Sequence, residues 1–321
     1  MKRVFVLGLI AVLSVSFIAS TQEKVLHWNL GVNPTTVDPC YATSTASQQI
    51  AHALFLGLTD IDNETLEIIP RLVTSWEVSG DGTTWTFHLR HEAMWNDGTP
   101  VTAHDVTFAI ERTLDPEAPS PLAQKLYVLR GAEEYHTGSG RARDVGVEAI
   151  DNHTVRFTLI APNDCFPALL SEPVFYPQPR SIVEDYGIDW TQPEHIVTDG
   201  PYILGQSVND RIILYKSATY YDADSVNIDE VYCHVIEDEQ EALAMYTKGK
   251  LDVACVSREE IERVKTDPLL SSQLRIYPSA ELASTCLPTL AYPVAQLTKP
   301  YIVRTYALLG REKWENWDIL R

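Results

Sequence analysis

The chain has 321 residues, of which 45% are hydrophobic and 21% are charged, values typical of a globular protein rather than a disordered one. Its 44 acidic residues outnumber its 25 lysines and arginines, which gives a net charge of −19. This excess of negative charge argues against nucleic acids and anionic membrane surfaces as partners.

The first twenty residues have the composition of a secretory signal peptide. Lys2 and Arg3 form a basic start, and an apolar run follows over residues 4–18. That run is short for a membrane anchor, so we expect cleavage after Ser20, with Ser16 as the alternative. Removing Lys2 and Arg3 leaves 23 basic against 44 acidic residues, a net charge of −21. Because no cysteine directly follows the apolar run, we expect a periplasmic protein without a lipid anchor.

Two elements are predicted in the first part of the mature chain. Residues 25–32 have the composition of a strand, and residues 48–58 carry apolar side chains at helical spacing. The proline-bounded segment between them, residues 34–39, indicates an ordered loop.

Residues 75–106 form the most informative stretch of the chain. Apolar residues alternate in residues 84–90, which predicts a half-buried strand with Trp85, Phe87 and Leu89 on one face. Asp-Gly pairs on both sides of this strand indicate turns.

Helices and a hairpin are predicted beyond this strand. Thr102 followed by Asp105 predicts a capping box that opens a helix at residues 103–114. Residues 147–150 and 154–159 alternate around a short turn and therefore predict a β-hairpin.

A βαβ unit is predicted at residues 231–236, 238–248 and 251–256. Acidic residues cluster at the start of its helix, where carboxylates stabilise the helix dipole. We interpret them as a solvated face rather than as catalytic pairs.

No pattern in the sequence predicts catalysis, a metal site or a cofactor. His88 and His91 are the closest histidine pair, but residues three apart on a strand point to opposite faces. Phosphate-binding loops and nucleophile motifs are also missing, so we expect a protein that is not an enzyme.

The cysteines do not form a disulfide framework, because they are odd in number and irregularly spaced. Cys233 and Cys255 lie in two strand-like runs that we expect to neighbour each other. Buried thiols are the favoured interpretation, and a single disulfide is the alternative. The five cysteines are Cys40, Cys165, Cys233, Cys255 and Cys286.

Residues 76–90 follow the pattern W-x-x-S-x-D-G-x-x-W-T-F-x-L-R, and residues 95–106 follow W-x-D-G-x-P-V-T-A-x-D-V. Both resemble segments of the bacterial extracellular solute-binding proteins of family 5, the periplasmic oligopeptide- and dipeptide-binding proteins of ABC transporters. Residues 198–202, T-D-G-P-Y, resemble a further turn of that family.

The resemblance implies an α/β fold, the first lobe of a type II periplasmic binding protein with a discontinuous main subdomain. Residues 21–66 and 191–279 would form the main subdomain, and residues 67–190 an inserted α+β subdomain. Residues 280–321 would be a stub of an incomplete second lobe, in which residues 303–308 match a helix of the family imperfectly.

The resemblance also implies the function, which is capture of extended peptides for an oligopeptide ABC importer. The expected partners are a peptide ligand and the permease subunits in the inner membrane, with the binding protein itself a monomer. The alternatives are the same scaffold with another solute (a dipeptide, nickel, haem or an oligosaccharide) and a truncated fragment without ligand binding.

Carried over position by position, the resemblance indicates cleft-lining residues in three segments. The predicted ligand contacts are Thr43, Ser44, Thr45, Leu122, Cys255 and Val256.

Overall fold

The computed structural model describes residues 23–62, 65–206, 211–257, 260–280 and 302–309. The predicted signal peptide and Cys286 lie outside this part of the chain. The helices are α1 (Thr45–Leu54), α2 (Ala103–Thr113), α3 (Ala132–His136), α4 (Phe166–Leu169), α5 (Arg180–Tyr186), α6 (Glu239–Thr247) and α7 (Ile261–Thr266). The strands are β1 (Val25–Asn29), β2 (Thr59–Ile61), β3 (Ile68–Pro70), β4 (Val73–Val78), β5 (Thr84–Leu89), β6 (Val147–Asp151), β7 (Thr154–Thr158), β8 (Tyr202–Leu204), β9 (Ile212–Lys216), β10 (Glu230–His234), β11 (Val253–Cys255), β12 (Leu274–Ala280) and β13 (Ile302–Leu309).

Seven strands form a mixed main sheet in the order β12-β13-β11-β1-β10-β9-β8. Strand β1 lies inside the sheet and pairs in parallel with β10 on one side and β11 on the other. Leu26 and Trp28 of β1 are buried in one core with Ile50 of α1. A separate apolar cluster joins Ala254 of β11 to Leu243 of α6 and to α7. The main sheet therefore carries helices on both faces, as in α/β folds.

A second, antiparallel sheet has the order β4-β5-β7-β6 and contains the segment with the predicted alternation. Trp85, Phe87 and Leu89 are buried while their neighbours on β5 are partly exposed, which confirms the prediction. Phe87 packs against Phe157 with ring centroids 5.7 Å apart and also contacts Phe166 at 6.2 Å. These aromatic contacts form the centre of the inserted sheet's core.

The predicted capping interaction opens α2. The Asp105 carboxylate accepts hydrogen bonds from the backbone N–H of Thr102 at 2.7 Å and from its hydroxyl at 2.9 Å. Likewise, Asp238 caps α6 by accepting from the N–H of Glu241 at 2.9 Å. Both acidic residues therefore act at helix N-termini, where unpaired N–H groups need acceptors.

The bounds of α1 and β1 differ from the predictions by three or four residues. Helix α1 begins at Thr45 rather than at residue 48, because Ser44 caps it and accepts from the N–H of Ser47. It ends at Leu54 rather than at residue 58, since Phe55 adopts an extended conformation. Strand β1 stops at Asn29 rather than at residue 32, because Gly31 takes a left-handed φ of 79°.

The helix expected at residues 303–308 is wrong, because these residues lie in strand β13. Strand β13 pairs with β11 and β12 and so belongs to the main sheet. Ile302, Val303 and Thr305 are β-branched, which favours the extended conformation. The subdomain boundaries, including the 280–321 stub, remain predictions.

The cysteine expectations are corrected in part. Strand β1 separates the strands that carry Cys233 and Cys255, so these residues are not on neighbouring strands. Cys40 and Cys233 are buried, as expected for thiols in a core, whereas Cys165 and Cys255 are exposed. None of these four described cysteines forms a disulfide.

Candidate ligand-binding face at the carboxyl end of the main sheet

Strand β1 defines a topological switch point in the main sheet. The chain leaves β1 through α1 and returns to this sheet at β8, on the β10 side of β1. From β10 it crosses through α6 to β11, on the other side of β1, so the connections of the adjacent parallel strands β1 and β10 leave the carboxyl end in opposite directions. Open α/β sheets bind ligands in the crevice that such a switch creates. The carboxyl ends of β1, β10 and β11 therefore form the candidate ligand-binding face.

Asn29 fixes the two loops at the centre of this face. Its side-chain amide donates to the carbonyl of Ile236 at 3.1 Å, while its Oδ1 accepts from the N–H groups of Ile236 at 3.0 Å and Gly31 at 3.1 Å. The side chain is buried, and these three bonds satisfy its polar groups. The loops after β1 and β10 are thereby joined.

Cys255 and Val256 lie at the neighbouring strand end but face different surroundings. The side chain of Cys255 is exposed, whereas that of Val256 is 5% exposed and belongs to the apolar cluster of α6 and α7. The next residue, Ser257, donates its N–H to the Glu239 carboxylate at 2.5 Å. Of the predicted pair, only Cys255 presents its side chain at the surface.

The N-terminus of α1 lies beside the loop that leaves β1. The buried hydroxyl of Ser47 accepts from the N–H groups of Thr35 at 3.1 Å and Thr36 at 3.3 Å. The Ser44 hydroxyl donates to that of Ser47 at 3.0 Å, so it is engaged within the protein. Thr43 and Thr45 on either side are exposed. These two threonines, rather than Ser44, offer hydroxyl groups to a ligand.

Leu122 belongs to the inserted region but is connected to the chain before α1. Its N–H donates to the Ser120 hydroxyl at 3.0 Å, and that hydroxyl donates to the carbonyl of Cys40 at 2.5 Å. The Tyr41 hydroxyl donates to the Ala118 carbonyl at 3.3 Å. Leu122 itself is partly buried against the core. The loop that carries Leu122 is thus held close to the segment 43–45.

A buried charge network that the sequence did not predict supports this arrangement. The Asp38 carboxylate accepts from Arg112 at 3.0 and 2.7 Å and from the indole N–H of Trp190 at 2.8 Å. Arg112 also donates to Gln178 at 2.8 Å. Burial, and secondarily the Asp38 charge, raise the pKa of the adjacent Cys40 thiol to about 11, so the thiol is protonated at neutral pH. The network holds the loop before α1 in place. Its polar groups bond to one another, so they act in structure rather than in ligand contact.

Two further polar clusters are poor candidates for the main ligand site. Tyr176 donates to the Ser171 carbonyl at 2.8 Å and contacts His52 Nδ1 at 2.6 Å, beside a cavity of about 30 Å³ that has room for a water molecule only. The rings of His91 and His153 lie 3.9 Å apart in an open groove of the inserted region. Among the described residues, no group of three or more His, Cys, Asp or Glu side chains could hold a metal ion.

Within the described ranges, no helix is both long and apolar enough to span a membrane.

Comparisons with known proteins match this architecture. The profile of the "Bacterial extracellular solute-binding proteins, family 5 Middle" matches residues 67–293. The periplasmic oligopeptide-binding protein OppA of Escherichia coli is 36% identical over 237 residues, which cover 72% of this chain and 43% of that protein. The dipeptide-binding protein DppE of Bacillus subtilis is 34% identical over 238 residues, covering 74% of this chain and 44% of that protein.

A solved structure shows the same fold. Haemophilus influenzae OppA in complex with RPPGFSPFR superimposes with a TM-score of 0.75 at 29% identity, covering 79% of this chain and 50% of that one. The chain belongs to family 5 of the bacterial extracellular solute-binding proteins. It has the α/β fold of one lobe of a type II periplasmic binding protein, and it spans about half the length of the relatives it matches.

Proposed function

We propose that this chain captures extended peptides as the solute-binding component of an oligopeptide ABC importer. The observation that supports the proposal is the switch point at β1, together with the exposure of Thr43, Thr45 and Cys255 on the segments next to it. Relatives that share this lobe are named for binding oligopeptides and dipeptides. Delivery to permease subunits in the inner membrane and secretion to the periplasm by the predicted signal peptide belong to the same proposal.

The chemistry of the face suits a peptide backbone. Hydroxyl groups such as those of Thr43 and Thr45 both donate and accept, so they complement the alternating N–H and C=O groups of an extended chain. Internal bonds already occupy the Asn29 and Ser44 side chains, so these residues shape the face without contacting the ligand. No catalytic arrangement is required, and binding without reaction is the role we propose.

A single lobe gives limited affinity. Periplasmic binding proteins enclose their ligand by closing two lobes, and a ligand on one open face keeps much of its surface in water. We therefore expect the lobe described here, taken by itself, to bind peptides with dissociation constants well above those of a two-lobed protein. A covalently or separately supplied second lobe would strengthen the binding.

Isothermal titration calorimetry of the refolded mature chain with a mixed library of oligopeptides tests the proposal. Heat that saturates, and that falls when Thr43 and Thr45 are both changed to valine, supports peptide capture at this face. Changing the equally exposed Thr74 to valine is the control. Titrations without heat from any peptide would favour the alternative of a fragment without ligand binding, and heat from another solute alone would favour a different cargo.

A further inference from the structure

A groove lies along the main sheet on the side that carries α6, and none of the residues proposed to contact the peptide lines it. Its volume is about 420 Å³, within the range of small-molecule sites. Helix α6 packs on β11, and the groove is lined by residues from β1, β10 and the C-terminal part of α6. The lining residues are His27, Arg211, His234, Met245, Gly249 and Lys250.

Two imidazole rings form the floor of this groove. His27 Nδ1 lies 3.0 Å from His234 Nε2, so one ring donates a hydrogen bond to the other. His27 also stacks on Tyr232, with centroids 5.3 Å apart and planes inclined by 27°. The Tyr232 hydroxyl in turn donates to the Glu230 carboxylate at 2.8 Å. These contacts hold both rings in place before any ligand arrives.

The walls of the groove carry positive charge in a chain whose net charge is −19. Arg211 lies directly before β9, opposite the His234 end of β10, and Lys250 follows the C-terminus of α6. Burial, and then the neighbouring His27 and Arg211, lower the pKa of His234 to about 4, so this ring is neutral at pH 7. The nearby Asp252 carboxylate accepts from the His27 backbone N–H at 2.8 Å.

The geometry points to an accessory binding site for a small organic oxyanion, a carboxylate or a phosphate on an apolar body. Its charged group would pair with Arg211 and Lys250 and accept a hydrogen bond from the imidazole pair, while its apolar part contacts Met245. Guanidinium and ammonium groups bind oxyanions more strongly when a partly buried neighbour adds a donor. The inference does not rest on peptide binding, because none of the residues proposed to contact the peptide, Thr43, Thr45 and Cys255, lines the groove.

The imidazole pair makes the site dependent on pH. A bound anion favours the protonated form of His234, so binding takes up a proton and affinity rises as the pH falls toward the pKa of that ring, about 4. The other titratable groups that face the pair are Asp252, Glu230, Tyr232, Arg211 and Lys250. The Asp252 carboxylate accepts from the His27 backbone N–H, and the Glu230 carboxylate accepts from the Tyr232 hydroxyl.

Sulfate is a suitable first probe, because its charge is constant over the pH range in which imidazoles titrate, and benzoate is the matching organic carboxylate. Calorimetry with sulfate and histidine NMR shifts on the full chain should show saturable binding that is tighter at about pH 4.5, near the lowered pKa of His234, than at about pH 7.5. Arg211→Gln and Lys250→Gln should each weaken it about tenfold or more. Lys248→Gln, which removes the same charge two residues away at an exposed position, should leave it unchanged.

Three results would overturn the inference. The first is equal affinity in the Arg211→Gln, Lys250→Gln and Lys248→Gln variants. The second is an affinity for sulfate that does not change with pH. The third is that neither sulfate nor benzoate binds at millimolar concentrations. The side chains of Arg211 and Lys250 line the groove, so we expect their substitution to leave the free energy of unfolding unchanged. Urea denaturation of each variant checks this and separates a loss of binding from a loss of folding. Comparing sulfate with benzoate then shows whether the apolar wall contributes.

Discussion

Asp38 and Arg112 form a two-point ion pair that ties the loop before α1 to helix α2. The two hydrogen bonds measure 3.0 and 2.7 Å, and the side chains are only 8% and 17% exposed. Trp190, from the far end of the inserted region, donates to the same carboxylate. One carboxylate thus joins three parts of the chain that are separated by 74 and 152 residues.

Removal of the Arg112 charge should strongly destabilise the protein. Arg112→Met leaves the Asp38 carboxylate buried without its cation, and such losses cost about 3–5 kcal/mol. Arg180→Met is the control, because the Arg180–Glu184 pair is exposed and worth less than about 1 kcal/mol. Urea denaturation measures both, and similar midpoints for the two variants would contradict a structural role for the buried pair.

Asp199 should make stability fall as pH rises. It is buried, its Oδ1 accepts from the Leu56 N–H at 3.0 Å, and its Oδ2 lacks a partner among the described residues. Burial raises its pKa well above the ordinary value, so the folded state holds a proton that the unfolded state releases above about pH 4.

Asp199→Asn removes this proton linkage and should be more stable than the wild type near neutral pH. The gap should widen from about pH 4 upward by as much as about 1.4 kcal/mol per pH unit, until the folded-state pKa is reached. Urea denaturation of both proteins across that range provides the measurement. Parallel stability profiles would show that Asp199 is ionised in the folded protein.

Gly200 should not tolerate a side chain, although its backbone conformation is open to other residues. A Cβ there would lie 2.6 Å from the carbonyl carbon of Leu54, and the Gly200 N–H donates to the Leu54 oxygen at 2.9 Å. Gly200→Ala should therefore cost about 1–3 kcal/mol through overpacking. Gly80→Ala, where nothing lies within 4 Å, should change stability by less than about 0.5 kcal/mol. Equal thermal midpoints of the two variants would refute the close approach.

Thiol labelling can locate a bound peptide. In the native protein Cys255 and Cys165 should react with a maleimide, whereas the buried Cys40 and Cys233, whose pKa values are raised by burial, should not. A saturating oligopeptide should slow labelling of Cys255 and leave Cys165 unchanged, as read by peptide mass spectrometry. Equal rates at Cys255 with and without peptide would place the ligand elsewhere.

Local patterns in the sequence predicted local structure well. The alternation around Phe87 and the Thr102–Asp105 pair each depend on neighbours within a few residues, and the structure confirms both. The predicted start of α1 is three residues late, because Ser44, which we predict as a ligand contact, is the N-cap of the helix. Strand β13 was missed because a resemblance to a family helix outweighed the β-branched composition of the segment.

Contacts between distant segments could not be predicted in the same way. Nothing near Asp38 in the sequence indicates Arg112 or Trp190 as partners, since the pairing depends on how the inserted region returns to the main sheet. The exposure of Cys255 beside the buried Val256 likewise depends on where the α6–α7 cluster ends. The histidine pair at His27 and His234 arises only when β1 and β10 align in parallel.

The central position of β1 sets the order in which the protein can fold. Hydrogen bonds join the Lys24 N–H to Asp229, 205 residues away, and the His27 N–H to Asp252, 225 residues away. Strand β1 can therefore pair only after most of the chain is present. The inserted sheet needs only the contiguous segment from β4 to β7 and can form earlier. Long-range pairing is slow to form, so closure of the main sheet should limit the folding rate. If the chain is secreted as proposed, slow closure of the main sheet would keep it unfolded for longer during export.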